Sequence, residues 1–365
     1  MKIMLIAGDA AGDASGAELA EAVLQAAPQA RLFGMGGALM KEAGVRLLFN
    51  PTTMTALGLL EGVKKGNIMR RVLLRLGEVM AKQDPKVVVL IDFPQFNVKL
   101  GQMAKAKGIP VLFYLSPASW PNARARPGKL LEAATKIVTV FPFDVDPYQQ
   151  AGADIDHVGH PLLDQVPPAN SPTEGVVCLC PGNTLEDMRR NLPSLLKGAL
   201  KVKKAREEVD FVLPLPPNIP RDDLDRILKG DGTIKVQPGR QLDVLGRAEL
   251  AVCDCGAPAL EAAYAGVPLI AVYNSPLFCV EKLWRRPGFM SLPNVLAGRQ
   301  VVPEYCLGEM GSGRLAEEIE TLLDDEKRRG AMAADLGSVI ERLGPPGALT
   351  RMAGAILELA GRGRT

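Results

Sequence analysis

Short, continuous runs of β-branched and aliphatic residues alternate with helix-period stretches along this 365-residue chain, and the alternation stops once and then restarts. A strand without polar alternation must be covered on both faces, so such runs imply parallel sheets flanked by helices. The first series is Lys2–Ala7, Arg31–Gly34, Lys86–Ile91, Pro110–Tyr114 and Lys136–Phe141, with a helix predicted over Ala17–Ala26. It stops at Asp164–Gly175 (D-Q-V-P-P-A-N-S-P-T-E-G), whose prolines stand among Asn, Ser and Gly as in a linker. The second series is Val176–Cys180, Asp210–Leu215, Thr233–Val236, Leu250–Asp254 and Pro268–Tyr273, with helices at Leu192–Arg206 and Ala259–Ala265. From Gly313 the tail is helical, is broken at Gly344–Pro346, and ends in a helix over Ala348–Gly361.

The predicted organisation is an α/β chain of two Rossmann-like, doubly wound domains facing a central cleft. Residues 1–165 form the first, 166–175 the linker and 176–343 the second, and 344–365 form a helix placed to cross back onto the first domain. The length suits two cores, since single cores stop growing near ~250–300 residues. A net charge of +2 offers no global attraction for nucleic acid. The apolar run before Gly8 is too short for a signal peptide, and no stretch approaches a transmembrane helix. A cytoplasmic protein with reduced cysteines is therefore expected.

Ligands of doubly wound sheets bind beyond the carboxyl ends of the strands. After the first strand come Gly8, Asp9, Gly12 and Asp13, small and acidic residues of either a ligand-binding turn or a plain strand-to-helix turn. After Ile91 comes D-F-P-Q-F-N, where Asp92 is either a polar site residue or a helix cap. Ser116 follows the next strand in L-S-P-A-S-W. The second domain carries C-D-C-G-A-P-A-L-E-A-A-Y-A-G-V-P: a strand, then Gly256 and Ala257 opening a helix, then Glu261 one turn in. Free N–H groups there would meet phosphates, and Glu261 would accept from ribose hydroxyls. The plainer alternative is an ordinary βαβ crossover.

These segments, together with M-T-A-L-G-L-L-E-G-V (Met54–Val63), V-G-H-P-L-L-D (Val158–Asp164) and S-L-P-N-V-L-A-G-R (Ser291–Arg299), resemble lipid-A-disaccharide synthases over nearly the whole chain. The resemblance implies a GT-B fold and an inverting hexosyltransferase. It would pass a diacylated glucosamine from a UDP donor to the 6-hydroxyl of a diacylglucosamine 1-phosphate, with no metal and no cofactor. It also implies donor binding by Glu261 and Asn294, alongside Gly182, Asn183, Gly256 and Ala257. The partners it implies are the two acylated glucosamine substrates and the cytoplasmic face of the inner membrane, touched peripherally. A homodimer is compatible with it.

The sequence departs from the family at four presumed contact positions. The family pattern I-D-x-P-D-F-N has a second Asp favoured as general base, and that position is Gln95 here. An amide cannot take a proton, and general-base help is worth about 10²–10⁴-fold. L-P-G-S-R reads C-P-G-N-T at Cys180–Thr184, the family's W-A-W-R stretch reads W-P-N-A, and Y-R reads Tyr273-Asn274. Either Asp92, Asp9, Asp13 or Glu61 supplies the base and the substrate has changed, Asp92 being the best placed, or the chain is a weakened or non-catalytic relative that still binds UDP-sugar or lipid. His160 is a further titratable candidate within a turn. A UDP-sugar 2-epimerase shares the fold, but its own set of acid–base carboxylates is not evident.

Two further constellations stand out. Cys178/Cys180 and Cys253/Cys255 each place a pair on one sheet face, as either a metal site or buried small hydrophobes. Val63–Gln83 mixes Lys64, Lys65, Arg70, Arg71 and Arg75 with apolar residues, and Lys282–Phe289 does so on a shorter scale. Each is either an anionic-lipid surface or an amphipathic helix packed on the sheet.

Overall fold

The computed structural model describes residues 1–51, 63–117, 127–216, 219–230, 232–274 and 288–362, with backbone alone at 63–67, 309 and 310. Glu61, the Trp120–Arg126 stretch and most of Lys282–Phe289 lie outside the described residues. Two compact units divide the chain, one of Met1–Asp164 with Leu343–Thr365 and one of Gln165–Arg342.

The first unit is built on strands β1 (Lys2–Ala7), β2 (Arg31–Met35), β3 (Arg46–Phe49), β4 (Val87–Ile91), β5 (Val111–Leu115), β6 (Lys136–Thr139) and β7 (Ile155–His157). They lie in the order β3-β2-β1-β4-β5-β6-β7, all parallel. Every residue of β4, and Ile3–Ala7 of β1, is fully buried, as strands covered on both faces require. The second unit has β8 (Thr173–Cys180), β9 (Asp210–Leu215), β10 (Ile234–Pro238), β11 (Ala248–Asp254), β12 (Leu269–Tyr273) and β13 (Glu304–Cys306), in the parallel order β10-β9-β8-β11-β12-β13. The strand order therefore reverses between β1 and β4 in one sheet and between β8 and β11 in the other. Doubly wound sheets bind ligands at these two points.

Three strands were not foreseen. β3, β7 and β13 are short edge strands with mostly half-buried or exposed residues, so their apolar signal is weak. The helix expected from Ala17 begins at Ala10, because Asp9 accepts the Gly12 N–H at 2.7 Å and caps it. Gly12 and Asp13, expected in a glycine-rich turn, are thus helical. Thr184 caps the Leu185–Ala205 helix in the same way, so that helix starts well before Leu192 and runs through Pro193. Thr173–Gly175, expected in the linker, are the first residues of β8.

The Val63–Gln83 helix sends Val72, Leu76 and Met80 into the first core and leaves Arg70, Arg71 and Arg75 in solvent. The last helix, Ala348–Gly361, belongs to the first unit. Asp164 caps it by accepting the N–H groups of Ala348 (3.1 Å) and Leu349 (3.0 Å), and Arg351 donates to the Val158 carbonyl at 2.9 Å. Among the described residues no helix is long and apolar enough to cross a membrane.

Candidate functional site

At the first reversal point, β4 is followed by Asp92 and Phe93, both with left-handed backbone (φ 45° and 47°). Such residues cost about 1–3 kcal/mol each and persist only where their surroundings over-determine them. The Asp92 N–H donates to the Tyr114 carbonyl at 3.0 Å, and Asn97 Nδ2 donates to the carbonyls of Ile91 (3.1 Å) and Asp92 (2.8 Å). The Phe93 ring lies against Gly8, where a Cβ would sit 2.3 Å from the ring. Any side chain at position 8 would therefore displace the Phe93 ring beside Asp92.

The Asp92 carboxyl is buried. Oδ1 accepts the Ser116 N–H at 2.9 Å, and Oδ2 accepts the Ser116 hydroxyl. Burial pushes this carboxyl up to about 6, against the pull of the two Ser116 donors and with help from the negative charges of Asp9 and Asp144. Asp92, Ser116 and Asp9 thus come together beyond β1, β4 and β5. Gln95 is exposed on the first turn of the Pro94–Lys105 helix.

Two other expectations for this unit need correction. Asp13 was a candidate for the acceptor side or the base, but its oxygens accept from the N–H groups of Gly37 (2.6 Å), Leu39 (3.2 Å) and Met40 (3.1 Å). It caps the Ala38–Glu42 helix and is committed to that role. His160 is buried beside Phe141, with ring centroids 5.2 Å apart, and its Nδ1 accepts the Leu162 N–H at 3.1 Å. Burial pushes the imidazole down to about 3, too weak a base to take a hydroxyl proton near neutrality.

At the second reversal point, Cys180 of β8 and Cys253 of β11 are paired in register. Beyond them the Gly182 loop and the Gly256 turn are tied together: Asn191 Nδ2 donates to the Pro181 carbonyl at 2.7 Å and to Asp254 Oδ1 at 3.1 Å. Asp254 Oδ2 accepts the Gly256 N–H at 3.2 Å, and burial pushes this carboxyl up to about 6. Gly256 opens the Ala257–Tyr264 helix, with Ala257 exposed at its first position. Glu261, half-buried one turn in, accepts from Gln241 Nε2 at 2.8 Å and from the Asn183 side chain, and burial pushes it up to about 7. Gly182, Asn183, Gly256, Ala257 and Glu261 are therefore grouped as the sequence suggested.

Asn294 does not join them as a ligand. It is fully buried, Oδ1 accepts the N–H groups of Val301 (2.7 Å) and Val302 (3.0 Å), and Nδ2 donates to the Val302 carbonyl (3.0 Å) and Glu304 Oε2 (2.9 Å). With its capacity spent internally, it acts as a brace. The Leu292 N–H donates to the Cys255 carbonyl at 2.9 Å, so this braced loop supports the Gly256 turn. The thiols of Cys178, Cys180 and Cys253 do converge, with Cys178 and Cys180 Sγ atoms 3.5 Å apart and all three fully buried. Burial pushes Cys178 and Cys253 well up, which keeps them protonated, and no group of described residues is arranged to hold a metal.

Asp254, Asn191 and Gln241 were not singled out from the sequence. Asp254 stands at a strand end as Asp92 does, a signal that was available. Asn191 and Gln241 reach the site only through the fold.

A family model described as lipid-A-disaccharide synthetase matches residues 3–345. The chain is 34% identical over 377 residues to a lipid-A-disaccharide synthase of Myxococcus xanthus (strain DK1622), covering 100% of this chain and 98% of the relative. The chain belongs to the lipid-A-disaccharide synthase family. A second such relative, from Geobacter sulfurreducens, is 32% identical and covers 99% of this chain and 98% of its own length. Solved structures with the same fold include the kitacinnamycin glycotransferase (TM-score 0.65, 16% identity, 98% and 99% of the two chains). Another is a UDP-GlcNAc 2-epimerase from Neisseria meningitidis bound to UDP-GlcNAc (TM-score 0.63, 13% identity, 98% and 100%). At these identities the likeness establishes the fold alone, the two-domain α/β GT-B architecture. Family membership makes this chain a glycosyltransferase of lipid A disaccharide formation.

Proposed function

We propose that this chain transfers an acylated glucosamine from a UDP donor to an acylated glucosamine phosphate, with inversion and with Asp92 as general base. The observation that carries this reading is the Asp92 carboxyl, fixed by two Ser116 donors at a sheet reversal point and pushed up to about 6 by burial. A base poised near the operating pH is the most effective, and Gln95 offers no such group. As the acceptor hydroxyl oxygen forms its bond to C1 of the donor sugar, its proton passes to Asp92. The bond from C1 to the phosphate oxygen breaks and UDP departs with the electron pair. The ends of β8 and β11 hold the donor, with Glu261 on the ribose and the Gly256 turn on the diphosphate.

The acylated substrates put the work at a membrane surface, in this reading the cytoplasmic face of the inner membrane. The solvated Arg70, Arg71 and Arg75, with Leu74 54% exposed beside them, support contact with anionic lipid. A relative that binds without turnover is the less favoured alternative, given full-length identity to synthases. The test is incubation of the purified chain with labelled UDP-diacylglucosamine and diacylglucosamine 1-phosphate in mixed micelles. Disaccharide formation lost in Asp92→Asn is the expected result. UDP binding without any turnover by the unaltered chain overturns the catalytic reading.

A further inference from the structure

The second reversal point carries three carboxyls, Asp187, Asp254 and Glu261, yet the proposed donor brings a diphosphate. Arg190 lies within the Leu185–Ala205 helix, where long side chains lean back toward the N-terminus. Its guanidinium reaches the Asp187 carboxylate in the first turn. Asp187 packs against the Gly182 loop: Thr184 Oγ1 donates to it at 2.6 Å, and a Cβ on Gly182 (φ +135°) would fall 2.3 Å from the Asp187 Cβ. The same guanidinium acts across the gap on Asp254, drawing its carboxyl down against burial and the Asp187 charge, which both push it up. One charge thus serves both strand ends.

The backbone beneath it is held from both sides. Asn274 Nδ2, just past β12, donates to the Arg190 carbonyl at 2.7 Å, and the neighbouring Asn191 bridges the Gly182 loop and Asp254. The Arg190 side chain remains 38% exposed. An exposed pair three residues apart on a helix is worth little in water, so exchanging it is cheap. A guanidinium meeting phosphate gains a bidentate, charge-assisted contact instead. We propose that Arg190 releases Asp187 and clasps the diphosphate of the donor at the ends of β8 and β11.

This inference rests on that place being the donor site, and the test separates the two. UDP and uridine are titrated against the full chain by calorimetry, in the unaltered protein and in Arg190→Ala and Arg190→Lys. Arg190→Ala should weaken UDP about ten- to a hundredfold while uridine changes less than about twofold. Arg190→Lys should fall between them, because a point charge replaces the fork. Unchanged UDP affinity, or an equal loss for UDP and uridine, overturns the role of Arg190. If the unaltered chain binds neither probe, the donor-site reading falls and takes this inference with it. Thermal melting of each variant reports folding separately.

Discussion

The two sheet reversal points are built to one plan and tuned to different ends. In each, an aspartate at the end of the second strand of the reversal is pushed up to about 6 by burial, Asp92 just past β4 and Asp254 as the last residue of β11. Asp92 sits on left-handed backbone, receives a hydroxyl and an N–H from Ser116, and feels the negative charges of Asp9 and Asp144. Asp254 receives an amide and the N–H of its own turn, and it feels both the negative charge of Asp187 and the Arg190 cation. Burial is the main cause of the high proton affinity of both, and Asp92, flanked by negative charge, suits proton transfer. A carboxyl set beside a cation and a helix N-terminus belongs to a place that holds anions.

The sharpest way to break this comparison is to neutralise each aspartate in turn. Asp92→Asn should lower kcat about 10²–10⁴-fold, measured as disaccharide formed per unit time. Asp254→Asn should change kcat less than about threefold and act on donor KM instead; an equal collapse of kcat would erase the distinction. The same Asp92→Asn chain should be more stable above pH 6 by about 1–3 kcal/mol. The sign follows because the folded-state carboxyl titrates above its usual 3.8, so native stability is fully present below that value and is lost as pH rises through about 6. Denaturant melts at pH 4 and pH 7.5 check it, and a gain equal at both pH values would refute it.

Ser116→Ala removes the hydroxyl donor, which favours the ionised form, and keeps the backbone N–H. The acidic limb of kcat/KM, expected near pH 6, should therefore move up by about one unit, since one hydrogen bond of about 1.4 kcal/mol is one pKa unit. Asn294→Ala strands the N–H groups of Val301 and Val302 and should cost about 1–3 kcal/mol of stability. A large rise in donor KM with unchanged melting would instead return Asn294 to the ligand set.

The central strands were legible because their apolar runs are unbroken: β1 and β9 fall at Lys2–Ala7 and Asp210–Leu215, as read from the residues. The edge strands were not, since β7 and β13 have few buried positions to pattern. Asp92 was legible because it stands at a strand end, and Asp254 obeys the same rule. What a linear reading could not see is which polar groups are already spent. Asp13 finds partners 24–27 residues away, and only the fold shows it to be a cap rather than a ligand. Asn294 looked like part of a binding motif until its bonds to Val301, Val302 and Glu304 accounted for both ends of its amide.

The Asp164 cap on the last helix sets an order of events during synthesis. The first unit starts the chain but is finished by residues that emerge last, because Ala348 meets Asp164 across 184 residues. At about 5–20 residues per second, translation of that span takes roughly 10–40 s. For that interval the Ala10–Ala26 helix stays uncovered where Ala348–Gly361 will pack. The unit bearing Asp92 is thus completed only after every residue of the second unit, which ends at Arg342, has been made.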